Sequence, residues 1–324
     1  MTAQAHAAPA RARRPWWPWL KRALTVAFFA LVTYLLITNA REIEWSEVGQ
    51  ALRNRPLDSL LTAALVAALS HAVYSCYDLL SRRYTGHQLP ALRVLCATFI
   101  SYAFNLNLGS LVGGVGFRHR LYSRLGLGTA EINRIIAFSM LTNWIGYLLL
   151  AGVAFLMRPL EIPADWALGS GALQVLGGCL VCVVVTYLFA CAFSEKRSWS
   201  IRGHEVELPA VRMALMQVAI SSANWLLIAG VVFLLLQQEV VFPTVLAVLL
   251  VAAVAGVLTH VPAGLGVLEA VFVTLLWDQV PKNDMLAALL AYRGIYYLAP
   301  LAIAAALYLL LEARISRRVR IPAR

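Results

Sequence analysis

Charge is scarce in this sequence. Asp, Glu, Lys and Arg make up 13% of 324 residues, against about 25% in an average soluble domain. Acidic residues are scarcer still, 16 against 27 basic ones, while hydrophobic residues reach 61%. A soluble chain of this kind could not cover its own surface, and a disordered chain is excluded more firmly. No G-x-x-x-x-G-K-[ST] loop is present, which excludes a P-loop ATPase on this chain. There is no H-E-x-x-H, no intramembrane Ser/His/Asp set and no paired acidic metal motif. The expectation is therefore a non-enzyme without cofactor or metal. Five cysteines (Cys76, Cys96, Cys179, Cys182 and Cys191) all lie in apolar runs, so they form no disulfide framework. The Cys179-x-x-Cys182 pair has redox spacing. Within an apolar segment its thiols resist ionisation, so they read as small packing residues.

What is present is a series of apolar runs, and the class they define is an all-α polytopic membrane protein. The runs are Leu20–Thr38, Leu57–Leu80, Ala91–Val112, Arg134–Met157, Leu168–Phe193, Arg212–Leu236, Phe242–His260, Gly264–Trp277 and Asp284–Leu311. Most reach the roughly 20 residues a helix needs to cross the hydrocarbon. The first is longer than a signal-peptide core and lacks a convincing cleavage site, so it reads as a retained span flanked by Trp16, Trp17 and Trp19. Two regions break the pattern. Asn105–Arg118 is polar and glycine-rich, and Thr259–Glu269 carries Pro262, Gly264 and Gly266. Irregular backbone at membrane depth survives only when buried in protein or lining a cavity, so both read as broken or re-entrant helices.

A net charge of +11 would suggest nucleic acid on a soluble protein; here it is an orientation signal, and no nucleic acid is expected. Let the N-terminus lie inside, the first broken region return to the side it entered, and Phe242–Trp277 form a hairpin from outside. Then 21 of the 27 basic residues lie inside: the N-terminal five, Arg82, Arg83 and Arg93, the Arg118–Arg134 group, the Lys196–Arg212 group and the C-terminal five. If Ala91–Val112 crossed fully, the later basic loops would face outward. The preferred topology has about six full spans, two re-entrant hairpins and both termini inside. Basic tails 1–19 and 312–324 flank a membrane domain, 20–311.

Adding 150 to first-half positions superimposes the segments in opposite orientation. Pseudo-repeats of about 20–157 and 168–311 result, and Gly114-Val-Gly116 falls on Gly264-Leu-Gly266. Inverted repeats with paired Gly/Pro-interrupted segments are a recurrent device of secondary transporters, and those segments point to the binding site.

Polar groups at membrane depth mark candidate chemistry. Arg293 stays charged and can grip phosphate or carboxylate, or simply pair with Glu269; Asn143 is its repeat counterpart. Glu269 and His260 are candidates for proton coupling or gating, against a static salt bridge and a backbone-satisfied imidazole. Arg118, Arg120 and Arg124 follow the first break, where Gly114 and Gly116 would let backbone approach a phosphate. Ordinary contact of these arginines with lipid headgroups is the alternative. Asn107 is a candidate ligand or a cap for freed backbone. His71, Tyr74 and Asp78 share one helix face, which aromatic packing also explains.

These stretches resemble one family. Asn107 with Gly113-Gly-Val-Gly116-Phe-Arg118 and Leu121-Tyr-Ser-Arg124, together with His260-Val-Pro-Ala-Gly-Leu-Gly-Val-Leu-Glu269, are similar to the lysylphosphatidylglycerol synthase transmembrane region. That region is the flippase half of the multiple-peptide-resistance proteins and includes stand-alone inner-membrane relatives. The chain departs from the pattern at Gly109-Ser110, where a proline is common, and at Ala263. It has no counterpart of the soluble aminoacyl-transferase domain, so lysine transfer is not expected. The resemblance implies a flippase or scramblase of the bacterial inner membrane that moves a phosphate-bearing or aminoacylated lipid. Two other classes stay open: a lipid-binding scaffold for a lipid-modifying enzyme, and an intramembrane headgroup transferase. Association as a homodimer or with a lipid-synthesis enzyme also stays open.

Overall fold

Prolines open several of the helices, the first two among them. Pro56 precedes α1 (Leu57–Thr85) and Pro90 precedes α2 (Ala91–Gly109). A fixed φ and a missing N–H cost nothing at a helix start. Gly86, with φ +78, closes α1 and donates its N–H to the Arg82 carbonyl. The computed structural model describes residues 55–157, 170–201, 204–259 and 264–319, with isolated positions before residue 55. The tail 1–19 and His260 lie outside the described residues, as does most of the expected Leu20–Thr38 span. All elements below belong to one unit, Glu44–Arg324.

After α2 the chain turns at Gly109 (φ +81, ψ 168), a backbone conformation open to glycine. A π-helical segment, Ser110–Gly116, and α3 (Phe117–Arg124) then run back along α2. Phe104 stacks on Phe117 at 4.0 Å, and the Thr98 and Tyr122 hydroxyls lie 3.4 Å apart. In one straight helix the stacked pair would be about 20 Å apart. The expected run Ala91–Val112 is thus the descending arm of a re-entrant hairpin whose turn comes at Gly109, three residues before that run was expected to end. A Cβ on Gly113 would fall 2.2 Å from the Asn105 backbone nitrogen. Backbone cannot yield as a side-chain tip can. Gly113→Ala should therefore lower stability by about 1–3 kcal/mol, the cost of overpacking, in detergent thermal unfolding. Wild-type stability would show that the two arms are not packed this closely.

Next come α4 (Thr129–Met157), α5 (Ser170–Phe193), a hairpin of β1 (Ser198–Ile201) and β2 (His204–Glu207), and α6 (Val211–Leu235). The antiparallel strand pair was not expected from sequence, where the segment read as a basic loop. It ties helix ends together: the Tyr84 hydroxyl, at the basic end of α1, donates to the Glu207 carbonyl. The second broken region comprises α7 (Phe242–Thr259) and α8 (Val267–Leu276), packed on each other. Last comes one long run: α9 (Lys282–Tyr292), a π segment (Arg293–Leu298) and α10 (Ala299–Val319). Among the described residues, seven apolar helical runs are long enough to cross a membrane, 91–124 being the one that folds back. The protein is an all-α polytopic membrane protein apart from the small strand pair.

Contacts fix the direction of the second hairpin. Arg55, beside the start of α1, donates to the Asp284 carbonyl at 2.7 Å, so α9 begins at the end opposite Arg82 and Arg83. Helix α6 starts at the basic end beside β2 and delivers the chain to α7 at the opposite end. The second hairpin therefore opens from that opposite end, and the first from the basic end. This opposition is what an inverted repeat requires.

Candidate functional site

Four long helices carry polar residues near their middles, where apolar residues are otherwise the rule: Ser70 and His71 in α1, Asn143 in α4, Asn224 in α6 and Tyr296 in the last run. Burying such groups is costly unless they bond. The bonds are made across the two halves. Ser70 Oγ donates to Asn224 Oδ1 at 2.8 Å and bonds the Tyr296 hydroxyl at 2.7 Å; Tyr296 bonds the Tyr102 hydroxyl at 3.0 Å. Because Asn224 Oδ1 only accepts, the direction of the chain is fixed: Tyr102 donates to Tyr296, which donates to Ser70, which donates to Asn224. His71 Nδ1 bonds the Ala67 carbonyl, while its Nε2 is buried without a partner.

A cavity of about 550 Å³ opens beside this belt. The tips of both hairpins wall it: Asn105, Gly109 and Ser110 from the first, Gly256 and Gly264 from the second. The remaining wall mixes aliphatic residues with an aromatic group, Trp144 and Tyr147 on α4, Trp225 on α6, and Tyr292, Tyr296 and Tyr297 in the last run. The size falls within the usual range for small-molecule sites.

Two buried ion pairs flank the cavity, one for each hairpin. In the first, Arg118 Nε and Nη2 meet the two Asp78 carboxylate oxygens at 3.0 and 3.3 Å. Arg118 also donates to the Gly114 carbonyl and to Ser139, and Tyr122 donates to Asp78 at 2.8 Å. Arg118 is 4% exposed and Asp78 fully buried. In the second, Arg293 Nε and Nη2 meet Glu269 at 2.6 and 2.9 Å, and Nη2 also donates to the Gly264 carbonyl. The guanidinium lies over the Tyr297 ring at 5.7 Å. Glu269 sits in the first turn of α8, where the helix dipole favours a carboxylate. Gly264 (φ +57) and Gly266 (φ +76) supply the left-handed backbone that starts this helix.

The sequence-derived candidates divide accordingly. Asn143 and Gly264 line the cavity, while Arg293 and Glu269 pin its second tip. Asn107, a candidate ligand or backbone cap, donates to the Ala103 and Tyr297 carbonyls; Asn105, two residues before it, lines the cavity. Arg118 and Gly114 serve the Asp78 pair. Arg120 and Arg124 both bond Glu312, and Arg120 also bonds Tyr308, tying the first hairpin to α10. Gly116 lies at the foot of the π segment and Gly266 at the start of α8. His260 lies outside the described residues. Sequence reasoning missed Asp78 as the partner of Arg118 and missed the aromatic wall. The run Tyr292-Arg-Gly-Ile-Tyr296-Tyr297 was its visible signal.

Comparison with known proteins agrees with this architecture. The family model described as the lysylphosphatidylglycerol synthase TM region matches residues 22–304. The chain is 45% identical over 301 residues to inner membrane protein YbhN of Escherichia coli (strain K12), covering 93% of this chain and 95% of the relative. It is 29% identical over 282 residues to an uncharacterised protein of Synechocystis sp., covering 86% of this chain and 87% of the relative. It is 23% identical over 291 residues to a phosphatidylglycerol lysyltransferase of Staphylococcus haemolyticus, covering 88% of this chain but 33% of that protein.

Proposed function

The chain belongs to the lysylphosphatidylglycerol synthase TM region family, and on that premise we propose that this inner-membrane protein moves a lipid headgroup between leaflets. The observation that carries the reading is the cavity at which two oppositely entering hairpins meet. Re-entrant hairpins create such a cavity, because each ends inside the bundle and leaves its tip as a wall.

In this reading the headgroup occupies the cavity and the acyl chains stay in lipid. Asn143, Asn105 and the aromatic wall contact the headgroup. Arg293 and Glu269 hold the second tip closed. Glu269 is already engaged by two guanidinium nitrogens, so protonating it would weaken that hold and let the hairpin move. Arg118, Arg120 and Arg124 keep the first hairpin in register without touching the headgroup. Alternating access follows if one hairpin tip opens while the other stays pinned.

The test is leaflet exchange of fluorescent phospholipid in proteoliposomes, read by dithionite quenching over a series of pH values. We expect protein-containing vesicles to lose nearly all fluorescence, and protein-free vesicles about half. Identical traces at every pH would remove the transport reading. Exchange at one rate across the whole series would remove the role given to Glu269.

A further inference from the structure

The cavity wall carries no formal charge among the described residues. The two ion pairs beside it each match one carboxylate to one guanidinium, Asp78 with Arg118 and Glu269 with Arg293. Among the described residues, an anion entering alone would lose its hydration without meeting an unmatched cation, at a large cost. A headgroup with excess positive charge would find no free carboxylate. What the wall offers is aromatic and aliphatic surface with a few uncharged polar side chains, among them Asn105, Ser110 and Asn143. Four of its donors are turned into the protein. The Tyr147 hydroxyl donates to the Leu250 carbonyl and Trp225 Nε1 to the Asn143 carbonyl, while Tyr102 and Tyr296 donate along the chain to Asn224. Tyr102, at the head of that chain, lines the cavity, and its oxygen keeps its accepting capacity. One wall ring already holds a cation on its face, Tyr297 beneath Arg293.

From this wall we infer that the cavity binds a net-neutral aminophospholipid headgroup, its single ammonium seated on the aromatic wall beside the Tyr102 oxygen. An ammonium brings N–H donors to the uncharged oxygens of Asn105, Asn143 and Tyr102, and a positive charge to ring faces that attract one. Its own phosphate balances the charge, so nothing is demanded of a neutral cavity. The inference deepens the transport reading by naming the substrate class, but its test is binding, which is measured without transport.

The experiment is native mass spectrometry of the full-length protein in detergent with four dioctanoyl probes. These are phosphatidylethanolamine, N-acetyl phosphatidylethanolamine, phosphatidylglycerol and the lysyl ester of phosphatidylglycerol. Acetylation removes the ammonium and leaves a net anion. The lysyl ester adds a second ammonium, giving a net cation. Phosphatidylethanolamine should bind tightest, by roughly tenfold over the N-acetyl form. Trp225→Leu should shrink that ratio by weakening phosphatidylethanolamine more than the N-acetyl form, whereas misfolding would weaken both alike and leave the ratio unchanged. Equal binding of the ethanolamine and N-acetyl probes would overturn the ammonium assignment. Equal or tighter binding of the lysyl ester would overturn the net-neutral one. Failed leaflet exchange with the binding ratio intact would sink the transport reading alone.

Discussion

Asp78→Asn should destabilise the protein by about 3–5 kcal/mol, the usual loss when one member of a buried ion pair is removed. Arg118 cannot shed its proton, so without the carboxylate it becomes a buried cation with only neutral partners, Ser139 and the Gly114 carbonyl. The loss spreads beyond one bond. Asp78 on α1 receives both Arg118 and Tyr122 from α3, so it holds the returning arm of the first hairpin. Replacing both charges with apolar residues of similar size, Asp78→Leu with Arg118→Met, should recover most of the loss, because no isolated charge then remains. The measurement is thermal unfolding in detergent of both single variants and the double. If Asp78→Asn and the double variant were equally stable, the cost would not come from a stranded cation.

How much of this was visible in the sequence depends on the range of the interaction. The hairpins were legible because they are local. Gly109 and the glycines after it, and Pro262 with its neighbours, interrupt apolar runs within a dozen residues, and backbone sterics read directly from residue type. The opposed entry of the hairpins was legible through the sorting of basic residues. The Arg293–Glu269 pair was weighed as one of two readings, because two opposite charges in apolar sequence must meet something.

Asp78 was harder. It lies 40 positions before Arg118 and near the end of its helix, where an acid passes for an interfacial residue. The arginines after the first break looked like phosphate ligands for a related reason. Sequence shows a donor's charge but not whether an acceptor has already claimed it. The aromatic wall was illegible on similar grounds. Tyr102, Trp144, Trp225 and Tyr296 sit on separate elements, and each alone is ordinary in a membrane helix. Only their convergence between the hairpin tips gives them a shared surface.

Arg293→Ala should bring leaflet exchange down to the protein-free rate while the protein still inserts and purifies. Arg293 joins three parts of the cavity: Glu269 on α8, the Gly264 carbonyl at the second tip and the face of Tyr297. Truncating it leaves nothing to pin the second tip, so the closed state that alternating access requires is lost. The pair is less enclosed than the Asp78 pair, with Arg293 7% and Glu269 17% exposed. Its loss should therefore cost less stability than Asp78→Asn, about 1–3 kcal/mol, and should show first in transport. Arg293→Lys separates charge from geometry. Lysine keeps the positive charge but cannot grip both carboxylate oxygens in a fork while also holding a backbone carbonyl. If positioning of the tip is what matters, Arg293→Lys should transport at least about tenfold slower than wild type, since losing a bidentate charged contact is worth at least 1.4 kcal/mol. Exchange at the wild-type rate in Arg293→Ala would take this residue, and the pinned second hairpin with it, out of the mechanism.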